Sequence, residues 1–204
     1  MNFQIHFGAP YQNALRDFLL PIFRQILEDC PEDLRPTWKQ LESTWVFKNG
    51  SYIKLCGANN GQFDNLRGNK SDLFILDEAA QIDKVDDVIH GVAMSQLLSS
   101  KNPDKKIILP STPPTTPDHP FKRYAEDAKA VGAYSHFTIY DAGYSEEEID
   151  RIASKIDGGK NSTYFKREYM AEFVVEEELQ IIPEWNAKYV GEVEKNDFFQ
   201  FYTI

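Results

Sequence analysis

Leu73, Phe74, Ile75 and Leu76 constrain this chain more than any other stretch. Successive side chains of a strand point to opposite faces, so four apolar residues in a row predict a strand covered on both sides. The run is too short for a membrane span and belongs inside a layered α/β sheet. It leads directly into two carboxylates, Asp77 and Glu78, which then stand at the carboxyl edge of that sheet. Open α/β sheets place their chemistry at that edge. A nucleotide hydrolase needs such a pair: one acid to hold Mg²⁺, its neighbour to orient or deprotonate the attacking water.

The segments around this strand alternate in the same sense. FQIHFGAP predicts a strand that stops at Gly8 and Pro10. YQNALRDFLLPIFRQILEDC carries apolar residues at helical spacing, with Pro21 expected to bend the helix. Two short strands flank Asn49-Gly50, the strongest hairpin signal in the chain. A helix is expected over KVDDVIHGVAMSQLLSS, a second apolar strand over KKIILPS, a helix over FKRYAEDAKAVG and a strand over YSHFTIYD. Ser145 with Glu148 forms a capping-box signature, and Ser162 opens the helix STYFKREYMAEF less completely. The order predicts one α/β domain, a largely parallel sheet with helices on its faces and the hairpin at an edge.

Charge narrows the functional classes. The net charge of −10 is concentrated after residue 70, where 14 Lys+Arg face 25 Asp+Glu, against 8 and 7 before it. That excess argues against a chain that coats nucleic acid over its whole surface and leaves local contacts, through Lys122 and Arg123 for instance. No apolar run approaches the length of a membrane span. Cys30 and Cys56 lie far apart without metal-ligand spacing, and His6, His90, His119 and His136 are scattered; all six read as structural.

Three further features bear on chemistry. Arg67 stands beside Gly68 in a polar loop, where a planar, permanently charged fork can reach a transferring phosphoryl group. Ser111 and Thr112 end the second apolar strand, placed for hydroxyls to sense a γ-phosphate, and STPPTTPDHP stiffens the exit. Gln12, after Ala9-Pro10-Tyr11, reads as a helix start.

APYQNALRDFLLPI, FKNGSYIKLCG, LRGNKSDLFILDEA, STPPTTPDHPF and YFKREYMAEFV, in that order, resemble the large terminase subunits of tailed bacteriophages, the ATP-driven motors that package DNA into procapsids. The resemblance implies a P-loop-NTPase-like, helicase-like fold using ATP and Mg²⁺. It makes Asp77 the metal-coordinating acid and Glu78 the general base or water-orienting residue. Arg67 is similar to the arginine that some large terminases present to a neighbouring subunit's ATP, and Ser111-Thr112-Pro113 to the motif coupling hydrolysis to movement. It further implies double-stranded DNA, a portal protein and the small terminase subunit as partners, a homo-oligomeric ring, and the bacterial host cytoplasm as location.

One departure stands out. No G-x-x-x-x-G-K-[ST] loop occurs: RGNKS inserts Asn69 between Gly68 and Lys70, and DGGKNS follows no buried strand. The expectation is therefore a sheet lacking the family's first strand and phosphate loop, with residues 1–178 a partial ATPase domain. Residues 179–204 are expected to be a linker and the start of a nuclease domain. The alternatives are a catalytically inactive binding module that contacts motor subunits or DNA, and another helicase-like ATPase.

Overall fold

A computed structural model describes residues 2–67, 70–116 and 118–174. Its centre is a six-stranded sheet in the order β2-β3-β4-β1-β5-β6. The strands are β1 (Gln4–Ala9), β2 (Thr37–Lys39), β3 (Thr44–Val46), β4 (Tyr52–Gly57), β5 (Leu73–Leu76) and β6 (Lys106–Ile108). Pairings of β1 with β4 and β5, and of β5 with β6, are parallel; β2-β3 and β3-β4 are antiparallel. The carboxyl ends of four strands therefore open along one edge.

Each face carries its own core. On one side, helix α1 (Gln12–Ala14), a π-helical turn (Leu15–Leu19) and helix α2 (Leu20–Glu28) run on continuously. They bring Leu15 and Leu20 against Ala9, Trp45 and Leu55. On the other, α3 (Val85–Val88), a second π-helical turn (Ile89–Ala93) and α4 (Met94–Ser99) set Val85, Val88, Val92 and Ala93 on Phe74 and Leu76. Phe74 and Leu76 are sealed completely, while Leu73 and Ile75 on the opposite face are half-buried. The apolar run is thus covered on both sides, unequally.

Pro21 comes just after the π-helical turn, so the expected irregularity falls at the proline, where the helix lacks one N–H donor. The hairpin forms at the sheet's edge: Phe47 N–H donates to the Ser51 carbonyl (2.8 Å), and Gly50 takes the left-handed conformation the turn requires (φ 81°). An unforeseen strand, β2, extends it, joined by Trp38 against Trp45 at 5.0 Å between ring centroids.

The strand expected over YSHFTIYD does not form. Residues 134–138 are irregular and Ile139–Ala142 is a 3-10 turn, capped by Thr138 and Asp141. Its apolar residues serve no common face: Ile139 is buried and Phe137 is 73% exposed. Ile139 instead joins Ile149, Ala153 and Phe165 in a small third core between α6 (Glu146–Ala153) and α7 (Thr163–Glu168), which follow α5 (Phe121–Ala130). Both caps read from sequence are present. Ser145 and Glu148 cap reciprocally, and Ser162 Oγ accepts from the Phe165 N–H at 3.1 Å. The expected boundary at residues 178 and 179 lies outside the described residues.

Candidate functional site

At the end of β5, Asp77 donates its N–H to the Gly8 carbonyl at 2.8 Å, which holds it in register with β1. Glu78 then turns sharply, with φ 50° and ψ 46°. A left-handed glutamate is uncommon and costs about 1–2 kcal/mol, so its neighbours must hold it there. They come from the exit of β6. The Pro110 carbonyl accepts from Ala79 N–H (3.2 Å), and Ser111 Oγ accepts from Ala80 N–H (3.1 Å).

The Glu78 carboxylate sits among Ser111 Oγ (3.5 Å), Gln81 Nε2 (3.3 Å) and the Thr112 backbone N–H. Partial burial and the adjacent Asp77 charge raise its pKa above the usual glutamate value, and the bonds from Thr112 and Ser111 pull the other way. Beside it opens a cavity of about 470 Å³ whose lining includes Gln81, Asp83, Thr112, His119 and Glu168. Asp77, Glu78, Ser111 and Thr112 thus come together, as the sequence suggests. A larger groove, about 820 Å³, lies beside β3 and β4 with Lys39 and Lys54 in its walls. The paired acids line neither space, but the smaller one adjoins the Glu78 carboxylate through its lining residues Gln81 and Thr112, which both bond to it.

Arg67 is elsewhere. Its Nε donates to Asp64 (2.5 Å) and its Nη1 to the Gly91 carbonyl (3.3 Å) in the second π-helical turn. Gly91 lies part-way down the helical layer, which runs from Val85 towards the amino edge, where Ser71 N–H meets the Gln96 carbonyl. Arg67 and Glu78 therefore do not meet within one chain. Arg123 pairs with Asp86 at 2.8 Å, and Gln12 is committed to Gly57 N–H through its Oε1 at 2.7 Å.

Among the described residues, no three His, Cys, Asp or Glu side chains cluster as a ready-made metal cage. No described helix is long and apolar enough to cross a membrane.

Four side chains at this edge escape sequence reading. Glu168 arrives ninety positions after Glu78, on α7, beside the buried Arg167, whose Nε it holds at 2.9 Å. His119 donates no motif, yet it lines the cavity and accepts from Phe121 N–H through Nδ1 (3.2 Å). The buried Asn59 acts through bonds between loops, which no spacing rule reports, and Gln81 through a bond to Glu78 three residues before it.

A family model described as "Terminase large subunit, T4likevirus-type, N-terminal" matches residues 2–185. Among solved structures, the large terminase of a thermophilic bacteriophage, in complex with ADP, superposes with a TM-score of 0.67 at 19% identity. That match covers 85% of this chain and 42% of the other. The large terminase ATPase domain of Thermus phage P74-26 gives 0.60 at 17% identity, over 85% of this chain and 77% of that one. The large terminase of bacteriophage HK97 gives 0.58 at 17%, over 84% and 40%. No curated protein matches. The chain spans less than half the length of the first and third of these proteins, and at such identities the likeness is one of fold.

Proposed function

Because the chain belongs to the terminase large-subunit family, matching its T4likevirus-type N-terminal part, we propose that it is the ATP-hydrolysing region of a viral DNA-packaging motor. The observation that carries the reading is the Asp77-Glu78 pair at the carboxyl end of β5, with Glu78 braced by Ser111 and Thr112 from β6. Asp77 would hold Mg²⁺, and the ion when bound would supply neutralisation of the phosphate charge. Glu78 holds the attacking water and accepts its proton. A carboxyl raised by burial is the better base for that step, because proton transfer improves as its pKa approaches the working pH.

Ser111 and Thr112 tie the base to the β6 exit, so a change in that exit moves the Glu78 carboxylate with it. In this reading they carry hydrolysis forward into motion along double-stranded DNA. Arg67, remote from its own Glu78, acts on the ATP of the next subunit in a homo-oligomeric ring that also meets a portal protein and a small terminase subunit. The phosphates require a cradle of backbone amides. The sequence carries no G-x-x-x-x-G-K-[ST] loop to supply one, and β6 is the last described strand on its side of the sheet, where a strand bearing such a loop can add.

Glu78→Gln tests the reading in a preparation of the full-length protein that hydrolyses ATP. The expected result is a fall in kcat of at least about a hundredfold, within the range typical of a lost general base, with ADP binding retained. Hydrolysis that survives Glu78→Gln would leave the pair without a chemical role and favour a binding module.

A further inference from the structure

Asn59 lies just beyond β4 with 3% of its surface exposed. Its backbone N–H donates to the Pro10 carbonyl (2.9 Å) at the exit of β1, and its carbonyl accepts from Gln62 N–H (3.1 Å), which opens the turn towards Arg67. Its side chain faces the other way. Nδ2 donates to the Gln81 carbonyl (3.2 Å) and Oδ1 accepts from the Asp83 N–H (3.0 Å). An amide serves both bonds at once because it holds a donor and an acceptor in one planar fork; an ionised carboxylate offers acceptors only.

The turn that Asn59 grips is the one that begins at Glu78. Left-handed backbone at a non-glycine residue persists where the surroundings over-determine it. β1 and β6 fix the near side, through Gly8, Pro110 and Ser111. The far side is Gln81 and Asp83, and there the side chain of Asn59 supplies the bonds. Between the two sides, Gln81 N–H closes on the Glu78 carbonyl (2.8 Å) and Gln81 Nε2 touches the carboxylate.

We propose that Asn59 is a positioning residue: its amide locks the turn from Glu78 to Asp83 and so aims the Glu78 carboxylate. Asn59 itself touches no reactant. The proposal rests on the reading of Glu78 as the group that activates water, and its test separates the two.

In the isotope-labelled full chain, Asn59→Ala is expected to shift the Glu78 Cα and Cβ resonances out of the left-handed range. Hydrogen exchange at the Asp83 amide should speed up by about tenfold or more as its acceptor is lost. Asn59→Asp keeps the acceptor but not the donor; Glu78 should lose its left-handed signature at neutral pH and regain it when the introduced carboxyl takes up a proton. That variant also decides the matter if Asn59→Ala does not fold. A Glu78 signature unchanged in either variant while the clamp is open would overturn the proposal.

In the ATP-hydrolysing full-length protein, Asn59→Ala should lower kcat about tenfold to a hundredfold, as for a misplaced catalytic group, with KM within about twofold. Wild-type kcat in a preparation that Glu78→Gln inactivates would also overturn it. If Glu78→Gln leaves hydrolysis intact, the functional reading fails, and the resonance experiment still decides the clamp.

Discussion

His6 and Glu78 stand on neighbouring strands and meet burial with opposite consequences. His6 on β1 is fully buried, stacked on Phe74 at 5.7 Å and edge-on to Tyr52 at 5.8 Å; neither ring nitrogen has a partner among the described residues. Desolvation, helped by the Lys54 charge, lowers its pKa to about 4. Between about 4 and the ordinary histidine value the unfolded chain binds the proton more readily, so stability is lost as pH falls through that window. A shift of this size corresponds to about 3 kcal/mol. His6→Phe should flatten the denaturation midpoint across that range in a urea titration against pH, while the parent weakens steadily on acidification. Glu78 runs the other way: its raised pKa means that the folded chain holds the proton longer, and stability declines as pH rises from the unfolded carboxylate value to the folded one. The residue scale is also where sequence reading reached and stopped. Asp77 and Glu78 were legible because an apolar run has to end somewhere wet. Asn59 and Glu168 were not, because their places arise from which segments the fold brings together.

At the level of elements, β1 and β5 pack closely where Gly8 faces Leu76. A methyl group on Gly8 would fall 2.7 Å from Leu76 Cδ2, which is sealed in the core and would have to shift to admit it. Gly8→Ala is expected to cost about 1–3 kcal/mol by overpacking, read as a lower urea midpoint with an unchanged slope. An unchanged midpoint would show that the strands can separate at little cost. The helix caps offer a smaller effect. Ser145→Ala should remove about 1 kcal/mol by leaving Glu148 N–H without its acceptor, and circular dichroism during thermal melting would report it. Periodicity found β1, β4, β5, β6 and the helices because each has a face to cover. It misread residues 134–141, where alternation is present but no neighbouring strand is there to use it. It missed β2 because three residues joined by a tryptophan pair carry too little pattern to see.

For the molecule as a whole, the sheet, the two facing cores and the small helical core form a scaffold whose carboxyl edge gathers residues from 59 to 168. Phe173 fastens the last part by stacking on Phe121 at 6.2 Å. The described part of that edge holds acids and hydroxyls, and the sequence carries no G-x-x-x-x-G-K-[ST] loop. The 204-residue chain by itself is therefore expected to show no thermal shift with millimolar ATP, since only binding to the folded form raises its stability. ATP turnover by the pure chain that disappears in Glu78→Gln would contradict this. Arg67 adds a matter of tempo. Its pairing with Asp64 is exposed on both sides and is worth under about 1 kcal/mol, less at high salt. A surface side chain held that lightly lets go within nanoseconds to microseconds, long before packed bodies of this size rearrange over microseconds to milliseconds. If Arg67 serves a neighbouring subunit as proposed, its guanidinium is ready first, and the pace of exchange belongs to the slower masses that must come within its reach.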